Sequence, residues 1–183
     1  MARCIPSACS KALLGASLLL GPAQANPWQQ ARFPVPQFSG YTSHYGPRTG
    51  ASGGSSLHRG LDIAAPLGSP VLSWWAGRVE RLINDGSCGI GVAIRSGPYE
   101  HLYCHLQGTI EQDTLRSGGA SLRQGSWLRT GEPVGAIGVS GRSSGPHLHW
   151  GVKLKERWLD PVLLLRAMAD ARRVETPISQ ARP

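Results

Sequence analysis

Between Pro70 and Leu154 glycine recurs every few residues, and the apolar runs left between glycines are too short for a helix of ordinary length. Short runs broken by turn residues are the pattern of strands in an antiparallel sheet. The segments that read as strands are Pro70 to Trp75, Gly77 to Ile83, Ile90 to Arg95, Tyr99 to Leu106, Trp127 to Leu128, Val134 to Gly138 and His147 to Leu154. With 24 glycines in 183 residues, the expected fold class is mostly β, an antiparallel sandwich or barrel-like domain. One short C-terminal helix is expected over Asp160 to Arg173, where Leu163, Leu164 and Ala167 can form an apolar stripe. Trp74 and Trp75 are adjacent and cannot share a strand face, so one belongs in the core and the other nearer the surface.

The chemistry-bearing residues fall in three clusters. The loop Ser140 to Pro146 runs into His147-Leu148-His149, where strand alternation points both imidazoles to one face and Leu148 to the other. Paired imidazoles at a strand mouth suit metal ligation or proton transfer. The second cluster is His58-Arg59-Gly60-Leu61-Asp62, read as a loop entering a strand because Gly60 and the following Pro66 disfavour a helix. Together with His149 it offers two imidazoles and one carboxylate, a ligand set suited to a catalytic zinc that keeps a fourth position for water. The third is Tyr99 to Leu106, where alternation places His101, Tyr103 and His105 on one face, expected to look toward the site, and Leu102, Cys104 and Leu106 on the face toward the core. His44 reads as an ordinary loop histidine and His101 as a rim histidine.

The ends and the charge speak to location. Residues 1–25 read as a secretory signal, with Arg3 and Lys11 flanking the n-region, an apolar run from Ala12 to Leu20, and Ala23-Gln24-Ala25 as the cleavage site, so that an exported chain would begin at Asn26. The apolar run is short of the ~20 residues that span a bilayer, and Cys4 and Cys9 precede it, which argues against a stable membrane or lipid anchor. After cleavage two cysteines remain, Cys88 and Cys104. An even pair in an exported chain points to a disulfide, with buried thiols or a cysteine metal site as alternatives. The formal charge is +8, and removing Arg3 and Lys11 leaves 17 basic residues against 11 acidic ones, or +6. Such a chain is drawn to a polyanionic cell envelope. No aromatic-basic recognition motif points to nucleic acid.

The motifs HRGLDIAAPLGSPV, LYCHL and SGRSSGPHLHWGV, in that order, resemble the lysostaphin/LytM-type zinc metallopeptidases that cut peptidoglycan cross-bridges. The resemblance covers roughly Phe38 to Val162. It implies one zinc per chain held by His58, Asp62 and His149, with His105 and His147 as catalytic histidines acting on the water and the developing oxyanion. Tyr45-Gly46-Pro47-Arg48 resembles the family's aromatic-Gly-x-Arg segment, which makes Arg48 either a structural clamp or a substrate contact. Tyr103 is either a substrate contact or a structural strand aromatic. The implied organisation is a signal (1–25), an extended lead-in (26–37), the metallopeptidase domain (38–165), and the end of the helix with a tail (166–183). The implied protein is a monomer of the periplasm or extracellular cell wall whose substrate is a peptidoglycan peptide. A non-catalytic cell-wall-binding or hydrolase-activating relative, or a metal-binding protein without turnover, are the competing functions. Both leave His105 without a task. One departure from the family is a longer stretch after His105, Gly108 to Gln124, expected as a loop beside the catalytic strand that narrows the groove or reads part of the substrate.

Overall fold

The computed structural model describes residues 26–49 and 54–173. Residues 1–25, expected to be a signal, residues 50–53, and residues 174–183 of the expected tail lie outside the described residues. Among the described residues, short strands precede one α-helix. The first eight strands are β1 (Gly40–Ser43), β2 (Gly46–Thr49), β3 (Ser55–His58), β4 (Leu61–Ala64), β5 (Pro70–Leu72), β6 (Gly77–Asp85), β7 (Gly89–Ser96) and β8 (Tyr99–Cys104). They are followed by β9 (Leu106–Gln107), β10 (Thr109–Glu111), β11 (Thr114–Ser117), β12 (Ala120–Leu122), β13 (Trp127–Leu128), β14 (Pro133–Ile137), β15 (His147–Leu154), β16 (Arg157–Leu159) and α1 (Pro161–Arg173).

The main sheet has the order β1-β4-β15-β8-β7-β6-β13, with β16 pairing β15 beyond the reach of β4. All its pairings are antiparallel. The registers that build the site are His149 opposite Asp62 across β15 and β4, and His149 opposite Cys104 across β15 and β8. A second sheet has the order β5-β14-β9, and the β2-β3 hairpin supplies Arg48, Thr49, Ser56, Leu57 and His58 to the lining of the cleft.

One face of the main sheet is the core. Leu148, Trp150 and Val152 of β15, Leu61 and Ile63 of β4, and Tyr103 of β8 are all fully buried there, and each aliphatic side chain removed from water contributes ~1.5–3 kcal/mol. α1 closes this face with Leu164, Met168 and Ala171. It starts cleanly because Asp160 accepts the Val162 N–H at 2.9 Å and Pro161 fills the first helical position. Arg172 and Arg173 sit in its last turn, where the helix dipole favours cations. Leu163, expected in the apolar stripe, is 59% exposed; the stripe runs at Leu164, Met168 and Ala171, the spacing a 3.6-residue period requires. Trp74 is fully buried and Trp75 lies nearer the surface.

The segment Asn26 to Phe38, expected as an extended lead-in, is a packed strap. Pro27–Gln29 form one turn of 3₁₀ helix, Ala31 and Val35 are fully buried, and the Trp28 ring lies within 6.1 Å of Trp74, Trp75 and Tyr99. Gln29 donates to the Ala171 carbonyl at 3.0 Å, and Arg172 donates to the Ala31 carbonyl, so strap and helix clasp each other.

The stretch Gly108 to Gln124 is also not a loop beside the groove. β10, β11 and β12 form a three-stranded antiparallel meander. Its second two-residue turn, Gly118-Gly119, has positive φ at both positions (51° and 83°), the geometry that tight hairpins favour and glycine adopts freely. Ser117 ties the meander to β14 through the Ala136 N–H at 2.9 Å. None of its residues lines the cleft that holds the histidines.

Candidate active site

A cleft of about 570 Å³ opens on the face of the main sheet away from α1. His58, Asp62, His105, His147 and His149 all line it. β4 and β15 bring the first two candidate metal ligands together, because pairing His149 with Asp62 puts an imidazole beside a carboxylate on one face. His58 arrives at the end of β3.

The polar contacts decide which nitrogens are free. His58 Nδ1 lies 2.7 Å from the His44 carbonyl oxygen, which can only accept, so Nδ1 carries the proton and Nε2 presents a lone pair. That Nε2 is 3.0 Å from Asp62 Oδ1 and 2.9 Å from His149 Nδ1, and the last two atoms are 2.8 Å apart. Two imidazole nitrogens and a carboxylate oxygen thus crowd within 3.0 Å of one another, close enough for one cation to touch all three. This group could hold a metal ion, and its N,N,O chemistry fits zinc with an open fourth position. Asp62 uses its other oxygen, Oδ2, to accept from Arg48 at 2.8 Å. Burial alone would push the Asp62 carboxyl up; hydrogen bonds and charge at His149 and His58 more than reverse this and hold it far below the usual carboxylate range.

His149 reaches the group because residue 60 is a glycine. A Cβ there would lie 2.6 Å from His149 Cε1 and 2.7 Å from Nε2, and no neighbour could yield, since the Trp150 carbonyl closes the other side at 2.8 Å. The third residue of the His58–Asp62 motif therefore makes room for the ring.

His105 and His147 stand beside the group, their rings 4.7 Å apart between centroids, with His105 6.0 Å from His149. His147 Nδ1 donates to the Gly145 carbonyl at 2.8 Å, and its Nε2 stands 3.9 Å from Asp62 Oδ1. His105 Nδ1 donates to the Ser140 carbonyl at 2.8 Å, which leaves its Nε2 free. Burial pushes the His105 imidazole pKa down, against the opposing pull of the Ser140 carbonyl, and so favours the neutral, proton-accepting form.

The route by which His105 gets there corrects the expected face assignment. Within β8 it is His101 and Tyr103 that point into the core, both fully buried, while Leu102 and Cys104 line the cleft. His105 would follow Tyr103 inward by alternation, but its φ is 64°, a left-handed conformation that turns the side chain over to the cleft. Its N–H donates to the Cys88 carbonyl at 2.8 Å, and this contact together with the Ser140 bond offsets the ~1–3 kcal/mol such a conformation costs. Cys104, expected on the face opposite His105, shares the cleft with it and is bridged to Cys88.

Tyr103 is consequently no substrate contact. Its hydroxyl accepts the Trp74 N–H at 2.8 Å and donates to His101 Nδ1 at 2.7 Å. His101, expected at the rim, passes the chain on through Nε2 to Ser96 Oγ at 2.8 Å. Burial holds its pKa down to about 3, so this relay runs through a neutral imidazole. Arg48 reaches Asp62 as a clamp. His44, read as a loop histidine, contributes its backbone carbonyl to His58, and its ring packs on Tyr41 at 5.9 Å. In the sequence Ser140 reads only as the start of a loop, yet its carbonyl orients His105 and its hydroxyl bridges the Ile90 N–H and the Leu106 carbonyl. A serine between two loops carries no sequence signal for such a role.

Residues 56–161 match the model of peptidase family M23, and this span covers His58, Asp62 and His149, both further histidines and the β15 strand. The chain belongs to peptidase family M23. The resemblance read from three ordered motifs is met, as is the mostly β, antiparallel fold class. The DD-carboxypeptidase/endopeptidase Mpg of Neisseria meningitidis serogroup B is 36% identical over 107 residues, which are 58% of this chain and 22% of that protein. The peptidoglycan DD-endopeptidase ShyC of Vibrio cholerae is 32% identical over 116 residues, 62% of this chain and 24% of that protein. The chain thus spans about a quarter of the length of these relatives. A crystal structure of a zinc-containing peptidase from Vibrio cholerae matches the fold with a TM-score of 0.62 at 28% identity, over 76% of this chain and 39% of that one.

Proposed function

We propose that this protein is an exported zinc metalloendopeptidase that hydrolyses peptide cross-links of peptidoglycan, with His58, Asp62 and His149 as the metal ligands and His105 and His147 as the catalytic histidines. The observation that carries the reading is the convergence of three ligand atoms within 3.0 Å of one another beside two imidazoles whose Nε2 atoms are left free. The M23 membership and the DD-endopeptidase relative support the substrate, and the zinc-containing neighbour supports the metal.

A zinc held by His58, Asp62 and His149 would supply an electrophile for the scissile carbonyl and lower the pKa of an attacking water toward ~7. His105 Nε2, neutral and turned to the cleft, takes a proton from that water and returns it to the leaving amine. His147 Nε2, on a ring 4.7 Å from that of His105, holds the developing oxyanion by a hydrogen bond when it carries a proton. Arg48 fixes the Asp62 carboxylate so that Oδ1 faces the imidazoles. Cleavage of the signal after Ala25, export to the periplasm or cell wall, and action as a monomer complete the reading.

The test is incubation of the purified protein, loaded with one equivalent of zinc, with muropeptides carrying direct D-alanyl-diaminopimelate links or glycyl bridges, followed by mass spectrometry. One set of cross-links should be cut, and a chelator should stop the reaction. His149→Ala should lose bound metal and cleavage together. A variant that retained either would overturn the ligand assignment.

A further inference from the structure

The cleft carries more positive charge than the proposed reaction uses. Arg59 and Arg142 both line it and both are exposed. Neither has a carboxylate within ion-pair distance among the described residues, whereas Arg81, Arg95 and Lys153 on the same sheet surround the buried Glu100 carboxylate at 3.0–3.3 Å. The two carboxylates that do line the cleft are already committed. Asp62 faces His58, His149 and Arg48, and Asp85 Oδ1 accepts the Ser87 and Cys88 N–H groups at 2.8 and 2.7 Å.

We infer that Arg59 and Arg142 read a free carboxylate on the substrate, on the residue that supplies the amine of the bond to be cut. The inference rests on the peptidase reading and narrows its substrate class. Each arginine is fixed to the site by its own backbone. Arg59 lies between His58 and Gly60, and its carbonyl packs against Gly151 of β15. Arg142 lies two residues past Ser140, whose carbonyl orients His105, and its N–H donates to the Ser87 carbonyl at 3.0 Å. The backbone of the first therefore adjoins His58, and that of the second lies near the Ser140 carbonyl that orients His105. A guanidinium presents a planar fork that pairs both oxygens of a carboxylate, and partly enclosed walls strengthen the attraction.

The chemistry of the candidate cross-links then separates them. When D-alanine is joined to the amine at the D-centre of a diamino acid, the amine-side residue bears a free α-carboxylate directly beside the scissile amide. An internal glycyl bridge has only another neutral amide there. Two unpaired guanidiniums beside the site suit the first substrate and leave the second without a counterpart.

The test uses the full zinc-loaded chain and two synthetic cross-linked peptides that differ only in whether that α-carboxylate is free or a carboxamide. The free acid should be cut with kcat/KM about tenfold higher, the discrimination expected of one charge-assisted pair, and high salt should erode the ratio. Arg142→Gln and Arg59→Gln should each bring the ratio toward one, Arg142→Lys should keep part of it, and Arg116→Gln, on the meander away from the cleft, should leave it intact. Equal cleavage of both peptides by the parent, or a ratio unmoved in both glutamine variants, overturns the inference while the peptidase reading stands. If neither peptide is cut, the peptidase reading fails and calorimetric binding of the same pair decides the inference: tighter binding of the acid that is lost in Arg142→Gln supports it, and equal binding overturns it.

Discussion

β15 and β8 lie side by side in one sheet, yet they deliver their histidines to the cleft by different rules. On β15 simple alternation suffices: His147 and His149 face the cleft, and Leu148 and Trp150 fill the core. On β8 the same alternation sends His101 and Tyr103 into the core, and His105 reaches the cleft only because the chain turns left-handed one residue past the strand's end. A period of two is a property of extended backbone, so it holds inside a strand and lapses where φ changes sign. The residue that escapes the rule is also the one whose place depends on three tethers: the Cys88 carbonyl, the Ser140 carbonyl and the neighbouring disulfide.

The sharpest way to break this contrast is to remove each cleft histidine separately. His105→Ala and His147→Ala should each lower the cleavage rate by ~10²–10⁴-fold while zinc content stays near that of the parent. Rates and metal stoichiometry measured side by side check this; a His105→Ala protein that lost thermal stability and kept its turnover would return His105 to the core. A milder perturbation acts on the tether. Replacing Cys88 and Cys104 together by serine should cost ~2–4 kcal/mol of unfolding free energy, as expected for a bridge closing a loop of this size, and should slow turnover by loosening His105 more than His147. Denaturant titration of parent and variant reads the first effect, and the pH–rate profile the second.

The smallest change concerns the core face of β8. Tyr103→Phe strips the partner from the Trp74 N–H and from His101 Nδ1, so it should destabilise the fold by ~1–3 kcal/mol, the penalty for leaving a buried polar group unpaired. Cleavage should persist at nearly the parent rate below the melting transition. A large loss of kcat without loss of stability would place Tyr103 at the substrate after all.

What could be read in advance follows the same division. The β15 strand, its two histidines and the pairing of His58 with Asp62 were legible, because each lies in a short motif whose spacing survives folding. The faces of β8 were not, since the sequence Tyr103-Cys104-His105 carries no mark of the left-handed turn that a distant carbonyl on Ser140 stabilises. The meander was missed although Gly118-Gly119 is a strong hairpin signal, for its strands of three and four residues show too little alternation to register. The strap was hidden by its prolines, which obscure the fact that Ala31, Val35 and Trp28 are apolar and packed. Gly60 stood in plain view inside the motif, but its purpose appears only when the His149 ring is seen 2.6 Å from where its Cβ would be.

The clasp between the strap and α1 bears on how this domain can be attached to other things. The first described residues, around Trp28, and the last, around Arg172, meet on the core side of the sheet, with the cleft on the opposite face. A tether, reporter or surface linkage joined at either of these ends would pull from behind the sheet and leave the cleft mouth facing outward, so immobilised protein should present its site in one orientation.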